Sequence, residues 1–244
     1  MKSSMFVIAG LLVVGIAAWH IAAIGRSEFN AKETTAYFQK IFEESGPAAT
    51  LDDARNMVQL GLLDVKFCHP VMHLIGRMAV KKSGNFAEAM SFANDRHGLC
   101  VAGFVHGILE QYFQNIADPV TAASQICNFY RTGDTRFYGD CVHGVGHGFM
   151  FQTYNDLPKS LEMCDLLETG VHPCYGGVFM ENFNTDQKFH HSKFLKESDP
   201  FYPCQEEPSR HKSDCYLYAP TYYLSLHKND YIGALRWCED AELL

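Results

Sequence analysis

Five histidines recur in three apolar, glycine-bearing segments of this chain: His69 and His73, then His106, then His143 and His147. In two of the segments they stand four positions apart, which on an α-helix puts both imidazoles on one face, about a turn from each other. A neutral imidazole nitrogen is a ligand for zinc, copper or iron, so three neighbouring helices could converge four or five such ligands in one groove. His69, His73, His106, His143 and His147 are therefore the expected metal site, for zinc, copper or the iron of a b-type haem. Cys68, Met72 and Glu110 stand close enough in sequence to add soft or carboxylate ligands. No C-x-x-C-H haem attachment, H-E-x-x-H or zinc-ribbon spacing occurs. The competing reading of the same side chains is structural, with imidazoles hydrogen-bonded to carbonyls inside a tight helix interface; acid–base catalysis is a third.

Glycines crowd these histidines: Gly103, Gly107, Gly144, Gly146, Gly148, Gly176 and Gly177. Inside a helix each costs about 1 kcal/mol relative to alanine, so a cluster of them implies close approach of a neighbouring backbone or a ligand. A helix start also carries partial positive charge, which disfavours imidazolium and keeps the ring ready to coordinate.

The elements that must hold these residues are marked by nine cysteines. Cys100/Cys127, Cys141/Cys164, Cys174/Cys204 and Cys215/Cys238 open and close successive segments with a period of roughly 30 to 40 residues, the mark of stacked supersecondary units. Each unit reads as a helical hairpin, with a helix A beginning near Cys68, Leu99, Asp140, His172 and Asp214, and a helix B near Asn85, Asp118, Asp156, about His191, and Asn229. Asp118-Pro119 and Asp156-Leu157-Pro158 carry readable caps. The fourth B segment holds His190-His191, Asp199-Pro200 and Pro203 and is expected to be broken. His190, His191, His211 and His227 read as solvated, and Tyr216, Tyr218, Tyr222 and Tyr223 as core or as a peptide-binding groove.

In an antiparallel hairpin the two ends of one unit can bridge, which gives the four pairs above and leaves Cys68 alone. The end of B also lies beside the next A, which permits Cys127/Cys141, Cys164/Cys174 and Cys204/Cys215 instead, leaving Cys68, Cys100 and Cys238. Either register places the body in an oxidising compartment, a periplasm, lumen or extracellular space. Cys68, beside His69, is the candidate free thiol, and a redox sensor built on it is a further possibility.

Before the repeats, Met5 to Gly25 is a run of 21 residues without a charge, enough at ~1.5 Å per residue to span a bilayer. It reads as an uncleaved signal anchor, residues 1–25. Residues 26–66 read as a cysteine-free cap of two helices, Asn30 to Ser45 and Leu51 to Leu63, the second capped at Thr50 after a Gly46-Pro47 stop. Residues 67–244 form the cysteine-rich domain.

KSLEMCDLLETGVHPCYGGVFMENF and NDYIGALRWCEDA resemble the helix-turn-helix units of Sel1-like repeats, cysteine-rich relatives of tetratricopeptide arrays, over about Phe67 to Leu244. The resemblance implies an all-α, right-handed α-solenoid of antiparallel hairpins used as an interaction scaffold, and it favours the register that bridges closely spaced cysteines. The CVHG and CYGG turns are also similar to those of lanthionine-cyclase-like zinc toroids, although the chain is too short for a full toroid.

A formal charge of -8 with no basic cluster argues against nucleic acid. No nucleophile elbow, P-loop or dinucleotide fingerprint supports an enzyme. The first expectation is thus a single-pass membrane protein whose extracytoplasmic helical repeats bind membrane or secreted proteins; the alternative is a metal- or haem-binding protein built on the five histidines.

Overall fold

The computed structural model describes residues 31–63, 65–93, 100, 102–114, 116–131, 135–184, 192–228 and 230–240. Among these residues all regular structure is helical: ten helices and no strand. The anchor expected at 1–25 lies outside the described residues, and among those described no helix is long and apolar enough to cross a membrane. The chain divides into two compact units, Met1–Val71 and Met72–Leu244.

In the first unit, α1 (Ala31–Gln59) is two helical halves meeting at Gly46, whose φ of 81° is the left-handed conformation that glycine adopts at no steric cost. Pro47 follows as the first residue of the second half, where its missing N–H is not needed. The helix therefore restarts before Thr50. Thr50 is not the cap its type suggested: it lies fully buried within the helix, and its Oγ1 donates to the Gly46 carbonyl at 2.8 Å. Phe38, Phe42, Leu51, Ala54 and Met57 close this core.

α2 (Val65–Ser83) carries the chain into the second unit. There follow α3 (Phe86–Ser91), α4 (Gly103–Phe113), α5 (Pro119–Arg131), α6 (Thr135–Gln152), α7 (Leu157–Asp165), α8 (Val171–Asn184), α9 (Ser209–Leu226) and α10 (Tyr231–Asp240). The central helices pack in series, α4 on α6, α6 on α8 and α8 on α9, while α5 and α7 lie more extensively on the helix that follows than α7 does on the one before it. The buried stack includes Ile75, Leu109, Phe113, Val145, Phe149, Val178 and Phe179. Each such side chain contributes roughly 1.5–3 kcal/mol of transfer free energy.

The B-helix starts follow the caps. Asn85 accepts from Glu88 N at 3.1 Å, Asp118 from Thr121 N at 3.1 Å, Asp156 from Lys159 N at 3.4 Å and Asp230 from Gly233 N at 2.9 Å. Each bond satisfies an otherwise unpaired first-turn amide. The A helices begin at Val65, Thr135, Val171 and Ser209, one to five residues ahead of the positions expected from sequence. The cysteine mistaken for a boundary sits about one or two turns inside the helix, at a lateral contact. Gly103 begins late because Cys100 and Ala102, at φ 52° and 59°, hold the chain out of helix until then. No helix forms over 192–208, in accord with the expected break; the start assigned near His191 falls outside the described residues.

Cys127–Cys141, Cys164–Cys174 and Cys204–Cys215 are disulfides with Cα–Cα separations of 5.7, 5.7 and 5.5 Å. The register that closes each hairpin on itself is thereby corrected, because the end of each B segment lies nearest the next A. Cys68 and Cys100 are disulfide-bonded as well. Cys68 is not a free thiol, and the redox sensor built on it falls. The expected Cys215/Cys238 bridge is corrected too: Cys215, in the second turn of α9, is bonded back to Cys204. Cys215 is therefore not the partner of Cys238. Cys238 belongs to α10, and its side chain lies outside those described.

Candidate metal centre

Two helix crossings of the second unit have the same geometry. A Cβ added to Gly76 of α2 would overlap the Phe104 carbonyl oxygen of α4 and meet Ile108 N at 2.8 Å and Gly107 C at 3.0 Å. A Cβ added to Gly146 of α6 would overlap the Cys174 carbonyl oxygen of α8 and meet Val178 N at 2.8 Å and Gly177 C at 3.0 Å. The reverse contacts correspond too: Gly107 abuts the His73 carbonyl and Gly177 the His143 carbonyl. Every member of the second crossing stands 70 positions after its counterpart in the first (Gly76 to Gly146, Gly107 to Gly177, His73 to His143). The glycines let the backbones touch, which brings the first side chains on either side of each crossing together.

Between these crossings α4 packs on α6, with Gly144 against Leu109 Cδ1 and His106 Cδ2 and Gly148 against the Phe113 ring. That packing gathers the imidazoles. The His73–His106, His73–His147 and His106–His147 ring centroids are 5.3, 5.0 and 4.9 Å apart. Each of the three has a ring nitrogen within 4.8 Å of one on the other two, and all three are buried. His143, half-buried, lies 5.0 Å from His106 and 5.1 Å from His147 by ring centroid.

Carboxylates from the crossing helices orient the rings. Glu110 of α4, fully buried, accepts from His73 Nδ1 through Oε1 and from Arg77 through Oε2. Glu181 of α8 accepts from His147 Nδ1 at 2.7 Å, and Glu110 Oε1 lies 3.9 Å from the same nitrogen. A proton held on Nδ1 by a carboxylate leaves the Nε2 lone pair directed away, the tautomer that metal-binding histidines adopt when an outer carboxylate fixes them. Burial alone would raise the Glu110 pKa, but the interactions with His73 and Arg77 beside it outweigh this and hold the carboxyl below its usual range. Burial first, and then the neighbouring His73 and Arg77, outweigh the opposing Glu110 and push His147 down to about 3, so its ring is neutral at physiological pH.

Of the five expected ligands, the second unit brings together His73, His106 and His147, with His143 at their edge. His69 belongs to the first unit and stands one turn before His73 on the continuous α2. Met72 is buried in the core, and Glu110 acts through His73 as an orienting group.

Sequence reasoning missed Arg77, Glu181 and Met180, whose Sδ lies 3.4 Å from His143 Nε2. The available signal for Glu181 was an acid closing the apolar run Val178-Phe179-Met180. His211 is not solvated as expected: it is buried in the first turn of α9, with Nδ1 3.0 Å from Glu207 and Nε2 3.2 Å from Asp165. His227 is exposed at the end of α9, its ring 4.2 Å from that of Tyr223, and His190 and His191 lie outside the described residues. Of the tyrosines, Tyr222 is core and Tyr218 lies with its ring 5.9 Å from that of His143. Comparison with known protein families, curated proteins and solved structures finds no match to this chain.

Proposed function

We propose that this is a metal-binding protein whose His73, His106 and His147 hold a transition-metal ion, with Glu110 and Glu181 fixing two of the rings. The observation that carries the reading is the pair of buried Nδ1–carboxylate bonds, His73 to Glu110 and His147 to Glu181, around three mutually adjacent imidazoles. Three nitrogen ligands suit zinc or copper and leave a coordination position for a further ligand. A bound ion there would act as a Lewis acid or electron carrier; the chain's own part is to orient the rings and exclude water from them.

The serial packing of central helices supports an α-solenoid, the disulfides support an oxidising compartment, and Met5 to Gly25 supports anchoring to a membrane. The test is metal analysis of protein purified without chelator, wild type against His106→Ala/His147→Ala. Stoichiometric metal that the double variant loses, with its helical circular dichroism retained, supports the reading. Metal-free wild type that also fails to take up added zinc or copper refutes it.

The scaffolding role has one observation in its favour: Tyr231, Ile232 and Leu235 are exposed together on α10, at 63%, 62% and 64%. A partner co-purifying from native membranes with wild type and lost with Ile232→Glu supports it, and identical co-purification with both removes it.

A further inference from the structure

The repeated crossing places a second pair of side chains where the first crossing has His73 and Glu110. By the same 70-residue offset His73 corresponds to His143, and Glu110 to Met180. The first pair is joined by a hydrogen bond from Nδ1 to a carboxylate. In the second, His143 Nε2 faces the thioether Met180 Sδ at 3.4 Å. The geometry of the backbone is preserved while a hard oxygen has been exchanged for a soft sulfur, and thioether sulfur with imidazole is a donor set that selects copper(I) over zinc.

We propose that His143 and Met180, with the adjacent imidazole of His106, form a copper(I) subsite at the edge of the histidine cluster. This rests on the metal-binding reading above and adds to it a position selective for copper(I). Nitrogen and sulfur ligands lie about 2.0 and 2.3 Å from a bound metal. A separation of 3.4 Å between them then corresponds to an angle at the metal of roughly 100°, a spacing at which both can bind one ion.

The surroundings are shaped for it. His106 lies 5.0 Å from His143 by ring centroid, and the Tyr218 ring at 5.9 Å flanks the site. Gly176, the counterpart of His106 in the second crossing, leaves the space the His143 ring occupies, since a Cβ there would stand 3.2 Å from His143 Nδ1. Both donors are half-buried rather than sealed, which gives an ion a route in.

The test uses the full-length chain in detergent with its disulfides intact. Copper(I), generated with ascorbate, which leaves disulfides oxidised, is titrated against a chromogenic copper(I) chelator; zinc(II) is titrated separately against a fluorescent one. Met180→Leu keeps the volume and removes the sulfur, and thermal unfolding verifies that it folds. The expected result is a copper(I) affinity at least tenfold weaker in Met180→Leu with zinc affinity unchanged. A sulfur scatterer at about 2.3 Å in the copper X-ray absorption spectrum should also disappear in that variant.

Equal copper(I) affinity in wild type and Met180→Leu overturns the subsite. If wild type still binds zinc in that case, the metal centre stands without it. A wild type that binds neither ion overturns both.

Discussion

Glu110 accepts from His73 with one oxygen and from Arg77 with the other while wholly excluded from water. Removing one partner of such a buried charge leaves the other uncompensated. Arg77→Met is therefore expected to lower stability by about 3 kcal/mol, read as a reduced midpoint of urea unfolding. The double variant Arg77→Met/Glu110→Gln should recover part of that loss, because the carboxylate is then absent.

His211 is a second paired group. Burial would lower its pKa, but hydrogen bonds to Glu207 and Asp165 raise it above the ordinary 6.5. A folded value above the unfolded one means that its stabilisation is complete below about pH 6.5 and fades as pH rises through the folded value. The melting-temperature difference between wild type and His211→Gln should be largest near pH 5.5 and shrink into the alkaline range. Asp165, where burial is outweighed by hydrogen bonds from Arg210, Tyr175 and His211, is held down to about 2. Its contribution is present above its ordinary 3.8 and is lost as pH falls toward 2. At this scale His73 and His147 could be read from i, i+4 spacing and His106 from its place in the corresponding glycine-bearing segment. Their partners could not: Glu181 reaches His147 across 34 positions and Asp165 reaches His211 across 46. His211 looked solvated because the sequence places it in a loop or at a helix end.

The helix crossings rest on glycines, and they divide into two kinds. A methyl group at Gly107 or Gly177 would overlap the backbone of the facing helix, whereas Gly139 has nothing within 4 Å. Gly107→Ala and Gly177→Ala should each cost about 3 kcal/mol or more; the first should part His73 from Glu110 and the second His147 from Glu181. Gly139→Ala, in the same helical state but facing open space, should instead stabilise by up to about 1 kcal/mol. Thermal unfolding of the three variants checks both signs. The density of glycine was legible as a sign of close approach, and the Asp and Asn caps located the B helices. The A-helix starts were not legible, since the cysteines that signalled them serve sideways contacts between helices.

For the molecule as a whole, non-reducing peptide mapping should recover Cys127–Cys141, Cys164–Cys174 and Cys204–Cys215, and Cys68 should resist alkylation in the native state. The bridges span sequence separations of 14, 10 and 11. Loops of that size contribute roughly 3 kcal/mol each by restricting the unfolded chain, so full reduction should lower the melting temperature far more than any single substitution above. The choice between the two registers was open in the sequence because both ends of a hairpin are near neighbours of a B terminus. It is decided by α5 and α7 each lying against the helix that follows. Cys215 is bonded back to Cys204, which is why the period that paired it with Cys238 misled there.

In each of the three bridges the two partners are successive cysteines along the chain, with no thiol between them. A polypeptide threaded amino-end first into an oxidising space would meet each correct partner as the next sulfhydryl to arrive. Its native linkage map can then be written during translocation, in chain order, without later shuffling.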